Sequence, residues 1–479
     1  MTVELISVTA VLAGGTALVF ALGIRGCALP ALGLVAGLAL QIICGAIQVV
    51  TGLPTTPALT LTLVVLLPAG WWIWSGRRNN GLAVPVKTVL AVLLLVVVVV
   101  IALYGAGLVN LTPDSYQYLS TGSLLESGHL DAAPPERLLE RSLAVPLIHA
   151  PANLAGAFYL RSITPLLALA ALITLGWICR EGLRVSLEDS HLIFYFSAAA
   201  VLWILSSHRF VYHAFYVNGH TLSAVLLLLL AGCGWLYARG AALPPRALFI
   251  MQLLAIPALA VTRPEGSLLA GLALLPVLVS AKYPWKQRAA LLLAWGLSTG
   301  AWHGFLWQKF IDAGQAAPEA VVYMSVLGAA AIMAAPVLAW RQVERRSTGI
   351  LILAETGLWL ALVVMAAGNP RLLYRSALAT IQNLALDSGG WGVFPVLLGA
   401  LLVAVLAFTD IPDRVYLRFP VTAFIPLAFM LAYFREGSYR VGPGDSLNRM
   451  LLHIMPLAIL LVVSAAASPY WGLPRKNRK

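Results

Sequence analysis

Residues 86–109 read VKTVLAVLLLVVVVVIALYGAGLV, and after Lys87 this stretch carries no charge. A run of that length is at home only in lipid, where roughly 20 apolar residues cross the hydrocarbon layer as a helix. Lipid offers the backbone no hydrogen-bond partners, so a crossing segment is helical or belongs to a closed barrel. The alternating pattern of barrel strands is missing, and similar apolar runs recur along the whole chain. The expected class is all-α and polytopic. Composition agrees: 60% of the residues are hydrophobic and 10% charged, against about a quarter charged in soluble domains.

The pattern predicts about fifteen transmembrane helices, at 4–24, 28–50, 55–74, 86–108, 162–180, 191–206, 215–237, 247–262, 266–281, 289–307, 320–340, 348–368, 391–409, 416–434 and 450–468. The opening MTVELISVTAVLAGG has no basic leader and carries Glu4, so it reads as a first span rather than a cleaved signal peptide. A net charge of +12 does not point to nucleic acid, because the charges are scattered over short loops. With the N-terminus outside, inner loops hold twenty of the 31 Lys and Arg, among them Arg77, Arg78, Lys87, Arg341, Arg345, Arg346, Arg475, Lys476, Arg478 and Lys479. That bias is the positive-inside rule and sets the orientation. The four cysteines all fall in or beside apolar runs without a CxxC, so neither a disulfide framework nor a metal site is indicated.

The outer loops 109–161, 207–214, 308–319, 369–390 and 435–449 are longer, hold most of the acids, and are where function is expected. In the first, DSYQYLSTGSLLESG predicts a short helix with Asp114 near its N-cap. PPERLLERSL predicts a second, with Pro135 at a first helical position. Glu136, Arg137, Glu140 and Arg141 are expected to face water and Leu138 and Leu139 lipid, with both helices lying in the membrane interface.

Ionisable groups at membrane level are costly and mark candidate sites. Asp114, with Tyr116 and Tyr118 close behind, is either a helix cap or a base. SSHRFVYHAFYVNGH offers His208, Arg209, His213 and His220 for an anion or hydroxyl, with no standard metal spacing. TRPEG holds Arg263 and Glu265, and an arginine fork suits phosphate. Arg371, Tyr374 and Arg375 share one helical face as a basic lip, while Arg449 and His453 share another at the start of the last span. Glu355 is isolated within its span. No Walker A or GxGxxG unit is present, which argues against a soluble nucleotide substrate.

Three of these stretches carry a resemblance. PDSYQYL is similar to the loop-one Asp and Tyr of the GT-C superfamily of membrane glycosyltransferases. TRPEG after a middle span recurs in its members, and DSLNRMLLHIMPLAILLV resembles their closing R-x-L-L-x-x-x-P helix. The likeness runs from about residue 85 to the end, so residues 1–84 form three helices ahead of a GT-C-like module at 85–479. The resemblance implies sugar transfer from a polyprenyl-phosphate donor to a hydroxyl of a lipid, glycan or protein, at the outer face of a bacterial inner membrane. Asp114 would be the general base. Arg263, Arg449, Arg371 and Arg375 would meet the donor phosphate, and Tyr116, Tyr118, His208, Arg209, His213, Glu265 and His453 would line the substrates. No cofactor is implied. Loop one lacks a paired or DxD carboxylate motif, which leaves dependence on a divalent metal open. A transporter or lipid-linked-sugar flippase, or an O-antigen-ligase-like enzyme, would share the membrane character.

Overall fold

The computed structural model describes residues 2–53, 56–76, 106–339, 341–409 and 414–468. The expected span 86–108 lies almost wholly outside them, as do Arg77, Arg78, Lys87, Arg475, Lys476, Arg478 and Lys479. Regular structure among the described residues is helical, apart from one isolated bridge between Asn110 and Tyr216. The chain runs through α1 (Thr2–Ala21), α2 (Leu29–Thr51), α3 (Pro57–Gly76), α4 (Pro113–Glu126), α5 (Pro135–Arg141), α6 (Ala144–His149) and α7 (Ile163–Leu183). It continues through α8 (Ser190–Leu205), α9 (His208–Ala214), α10 (His220–Ala238), α11 (Pro245–Ala260), α12 (Gly266–Leu278), α13 (Trp285–Asp312) and α14 (Glu319–Ala334). The last elements are α15 (Arg341–Arg345), α16 (Ser347–Gly368), α17 (Pro370–Ala385), α18 (Phe394–Phe408), α19 (Val415–Phe434) and α20 (Ser446–Ala466).

Eight helices among the described residues are long and apolar enough to cross a membrane. They are α1, α2, α7, α10, α14 with its extension to Leu338, α16, α19 and α20; α8 and α9, bent by 77° against each other, make a ninth if read as one broken span. This is the make-up of an integral membrane protein. A helix stands at each expected span within the described residues, but length and composition do not establish a count of fifteen. The apolar part of α3, and α11, α12 and α18, are shorter, and Pro257 and Pro276 interrupt the ladders of α11 and α12. Helix α13 has the length but carries Lys286, Arg288, Lys309 and Asp312.

Helix α10 is buried along almost its whole length, packed by α7, α11 and α20, whereas α16 is nearly all exposed. Two helix pairs approach closely through glycines. A Cβ at Gly15 of α1 would overlap the backbone of α2 at Gly33 and Gly37, and Gly328 of α14 sits against Gly296 and Gly300 of α13. Both contacts use glycines four apart on one helix, the spacing that lets backbones meet where lipid supplies no hydrophobic drive.

Loop one corrects the expected interfacial arrangement. Tyr118, Leu119 and Leu125 of α4 are buried, and α4 packs on α6. Leu138 of α5 is buried in protein rather than facing lipid, and Arg141 turns inward rather than toward water. The cause lies just after α5. Leu143 and Ala144 N–H both donate to the Val261 carbonyl, at 3.1 and 3.0 Å, which draws the segment onto the α11–α12 turn. Ser142 takes a left-handed φ of 55° to make that change of direction, a conformation costly for a residue with a Cβ.

Candidate functional site

The site begins with a capping arrangement. Thr112 is the N-cap of α4: its hydroxyl accepts from Ser115 N–H, and the Ser115 hydroxyl accepts in return from Thr112 N–H. Pro113 occupies the first turn, where its missing N–H costs nothing. Asn110 N–H donates to the Phe215 carbonyl and the Ser115 hydroxyl to that of Val217, so this end of α4 is pinned to the start of α10. Asp114 therefore does not cap its helix. Its carboxylate is left for distant partners, at the helix end where the backbone dipole favours an anion.

Those partners come from three parts of the chain. Arg141 Nη2 donates to Asp114 Oδ1 at 3.0 Å, and Arg449 Nη1 donates to Oδ2 at 2.7 Å. The Tyr216 hydroxyl donates to the same Oδ2 at 3.3 Å and accepts from Thr112 Oγ1 at 3.0 Å. Arg141 is itself fixed, with Nε donating to Gln117 Oε1 at 2.7 Å and its guanidinium 5.7 Å from the Tyr118 ring centre. Asp114, Arg141 and Arg449 are all part-buried. Burial opposes ionisation of Asp114. The Arg449 hydrogen bond, the Arg141 and Arg449 charges and the Tyr216 hydroxyl outweigh it, and hold the carboxyl below its ordinary value.

A second layer lies behind. Arg263 Nε donates to Glu265 Oε1 at 2.7 Å in a fully buried pair, and Arg263 Nη1 donates to the Tyr118 hydroxyl at 3.2 Å. Arg435 Nη2 stands 4.0 Å from the other Glu265 oxygen. Burial works against the Glu265 charge, but Arg263 more than compensates and keeps the carboxyl well below its usual range. Tyr118 thus touches both layers, through its ring and through its hydroxyl.

Three helices, α9, α10 and α20, bring histidines alongside. His220 Nδ1 and His453 Nε2 share a hydrogen bond of 3.0 Å, with rings stacked at 5.1 Å. His213 meets His220 and Tyr216 edge-on, at 5.4 and 5.5 Å. Its Nδ1 donates to the Arg209 carbonyl at 2.9 Å, which fixes Nε2 as an acceptor. In this region several buried polar atoms have no hydrogen-bond partner: Arg209 Nε and Nη2, His213 Nε2, His220 Nε2, Arg449 Nε and His453 Nδ1. Buried polar groups are normally paired, so these donors and acceptors are left over by the protein's own hydrogen bonding.

The structure thus brings together Asp114, Tyr118, Arg209, His213, Arg263, Glu265, Arg449 and His453. It leaves other candidates at the edge. Tyr116 is half-exposed and stacks on Phe158 at 5.8 Å. His208 is exposed, with Nδ1 3.4 Å from the Gly390 carbonyl. Arg371 and Arg375 lie exposed on α17, with no ion pair among the described residues. Asp445 caps α20 and also accepts from Arg440 N–H, which makes it a holder of the loop before Arg449. Glu355 is not isolated: Arg418 donates to it at 2.9 Å. Arg141, Tyr216, Gln117 and Arg435 are additions that sequence reasoning passed over. Among the described residues, no group of three or more His, Cys, Asp or Glu could hold a metal ion.

Neither family models nor curated proteins nor solved structures give a match to this chain.

Proposed function

We propose that the chain is a membrane glycosyltransferase of the GT-C kind. It moves a sugar from a polyprenyl-phosphate donor to an acceptor hydroxyl, with inversion, at the outer face of a bacterial plasma membrane. In this reading the shorter apolar helices cross as well, giving about fifteen spans. The observation that carries it is the junction at Asp114, where Arg141 and Arg449, 27 and 335 residues away in sequence, meet beside unpaired buried Arg and His groups.

Such a transfer needs a base to take the acceptor proton and cations aimed at the charge that develops on the leaving phosphate. Asp114 is ionised and not spent on a cap, so it can be the base. Arg449 has one nitrogen on Asp114 and another without a partner. A phosphate that draws on Arg449 removes positive charge from beside Asp114, so donor binding makes the carboxylate more basic at the moment a base is needed. Arg209 and His213 offer further contacts. Arg263 is committed to Glu265 and Tyr118, and its role is to hold Tyr118 in place. Arg371 and Arg375 serve as an exposed basic lip that draws in an anionic donor.

The test is Asp114→Asn in the purified protein, assayed for transfer from polyprenyl-phosphate sugars after thermal unfolding shows it folded. A loss of about 10²–10⁴-fold is expected for removal of a general base. Near-normal turnover would falsify the base assignment, and a product with retained anomeric configuration would rule out the single displacement.

A further inference from the structure

Two cavities lie away from Asp114, and they are neighbours. One, of about 510 Å³, is lined by the last turn of α2, by Leu125, Gly128 and Asp131 of loop one, and by the end of α13 with Gln308, Lys309 and Asp312. The other, of about 380 Å³, is lined almost entirely by hydrocarbon, from Cys44 and Ile47 of α2 and Leu59, Leu63 and Leu67 of α3. Gln48 and Leu53 line both. Each volume falls in the range of roughly 300–1,000 Å³ typical of small-molecule sites. A chamber with charged side chains beside an apolar one fits an amphiphile.

Gln48 adds a second, independent observation. It is only 4% exposed, its Oε1 accepts from Thr60 Oγ1 at 3.2 Å, and its Nε2 has no partner. A buried amide donor left unpaired at the meeting of two cavities calls for an acceptor oxygen there. The polar chamber also has the charges of a zwitterion's complement. Lys309 and Asp312 stand three residues apart in the last turn of α13, and Asp312 accepts from Gln308 Nε2 at 2.8 Å. Lys309 pairs with Asp131, whose side chain is 88% exposed, and an exposed ion pair of this kind holds weakly. The carbonyl end of α2 faces the same chamber and favours a cation.

We propose that these cavities hold a zwitterionic, amine-bearing membrane lipid. Its phosphate region meets Lys309 and Gln48 Nε2, its amine meets Asp312 and the end of α2, and one acyl chain runs along α2 and α3. This does not rest on the sugar-transfer reading. Leu125 lies at the far end of α4 from Asp114, roughly 16 Å away at about 1.5 Å per residue.

The experiment uses the full chain in nanodiscs, with photoactivatable phosphatidylethanolamine or phosphatidylglycerol carrying the same diazirine-bearing acyl chains. Cross-linked peptides are then mapped by mass spectrometry. With the ethanolamine probe, peptides within 44–67 should be labelled several-fold above those of the exposed helix α16. Leu63→Trp, which fills the groove, and Gln48→Leu should each cut that labelling to the α16 level, and Asp312→Asn should erase the preference over phosphatidylglycerol. Labelling no higher than on α16 means only boundary lipid and overturns the proposal. Equal labelling by the two probes overturns the amine assignment. An unlabelled groove, as when another segment of the chain fills it, overturns the site itself.

Discussion

Asp189, Asp445 and Asp114 all stand at helix starts, yet only the first two accept hydrogen bonds from the backbone there. At α4 the cap is taken by Thr112 with Ser115, which leaves Asp114 to two arginines. In T-P-D-S both Thr112 and Asp114 have the chemistry of a cap; sequence alone put Asp114 near that position, left cap or base open for it, and did not single out Thr112. Arg141 was illegible for a different reason. In PPERLLERSL it looks like one charge of a solvated face, and only the hold of Val261 on the next turn brings it inward. A pH prediction follows from the arginines. Asp114 is held below the ordinary carboxylate value, so the acid limb of kcat/KM should lie below the usual carboxylate range. Arg449→Gln removes a hydrogen bond and a charge that favour the anion, so the residual activity should lose its acid-side half at a higher pH than in the wild type. An acid limb that stays in place in the variant would mean that the limb belongs to another group.

Helices of high apolarity were readable because lipid leaves the backbone no alternative, and a helix stands at each expected span that the described residues cover. Their ends and bends were not, because proline ladders at Pro257 and Pro276 and the 77° bend between α8 and α9 depend on neighbours rather than on periodicity. The same holds for α4 and α5. Their apolar faces were legible, but whether lipid or protein covers such a face is set by what packs above it. The glycine contacts make a sharper case. Gly15→Val would drive a branched side chain into the α2 backbone at Gly33, and overpacking of this kind costs roughly 1–3 kcal/mol. The expected readout is a lower unfolding temperature in detergent, with Gly357→Val on α16, which has nothing within 4 Å, as the comparison for added bulk.

Orientation belongs to the molecule as a whole. Cys27 is exposed, while Cys44, Cys179 and Cys233 are buried, so the chain carries a natural reporter at a turn assigned to the inner side. An impermeant maleimide should leave Cys27 unlabelled in intact cells and label it after permeabilisation, whereas Ser127→Cys, at an exposed position of loop one, should react from outside in a Cys27→Ser background. The reverse pattern would invert the topology. The charge bias over short loops is the ground for that expected orientation. Assembly of the site was not, since no local pattern announces that residue 114 will meet residue 449. That pairing has a consequence for biosynthesis. The ribosome has made most of the chain, and the earlier helices have entered the bilayer, before Arg449 exists to meet Asp114. Every nascent form short of α20 lacks one of the two cations at the carboxylate, so this cluster cannot assemble until that helix has been made.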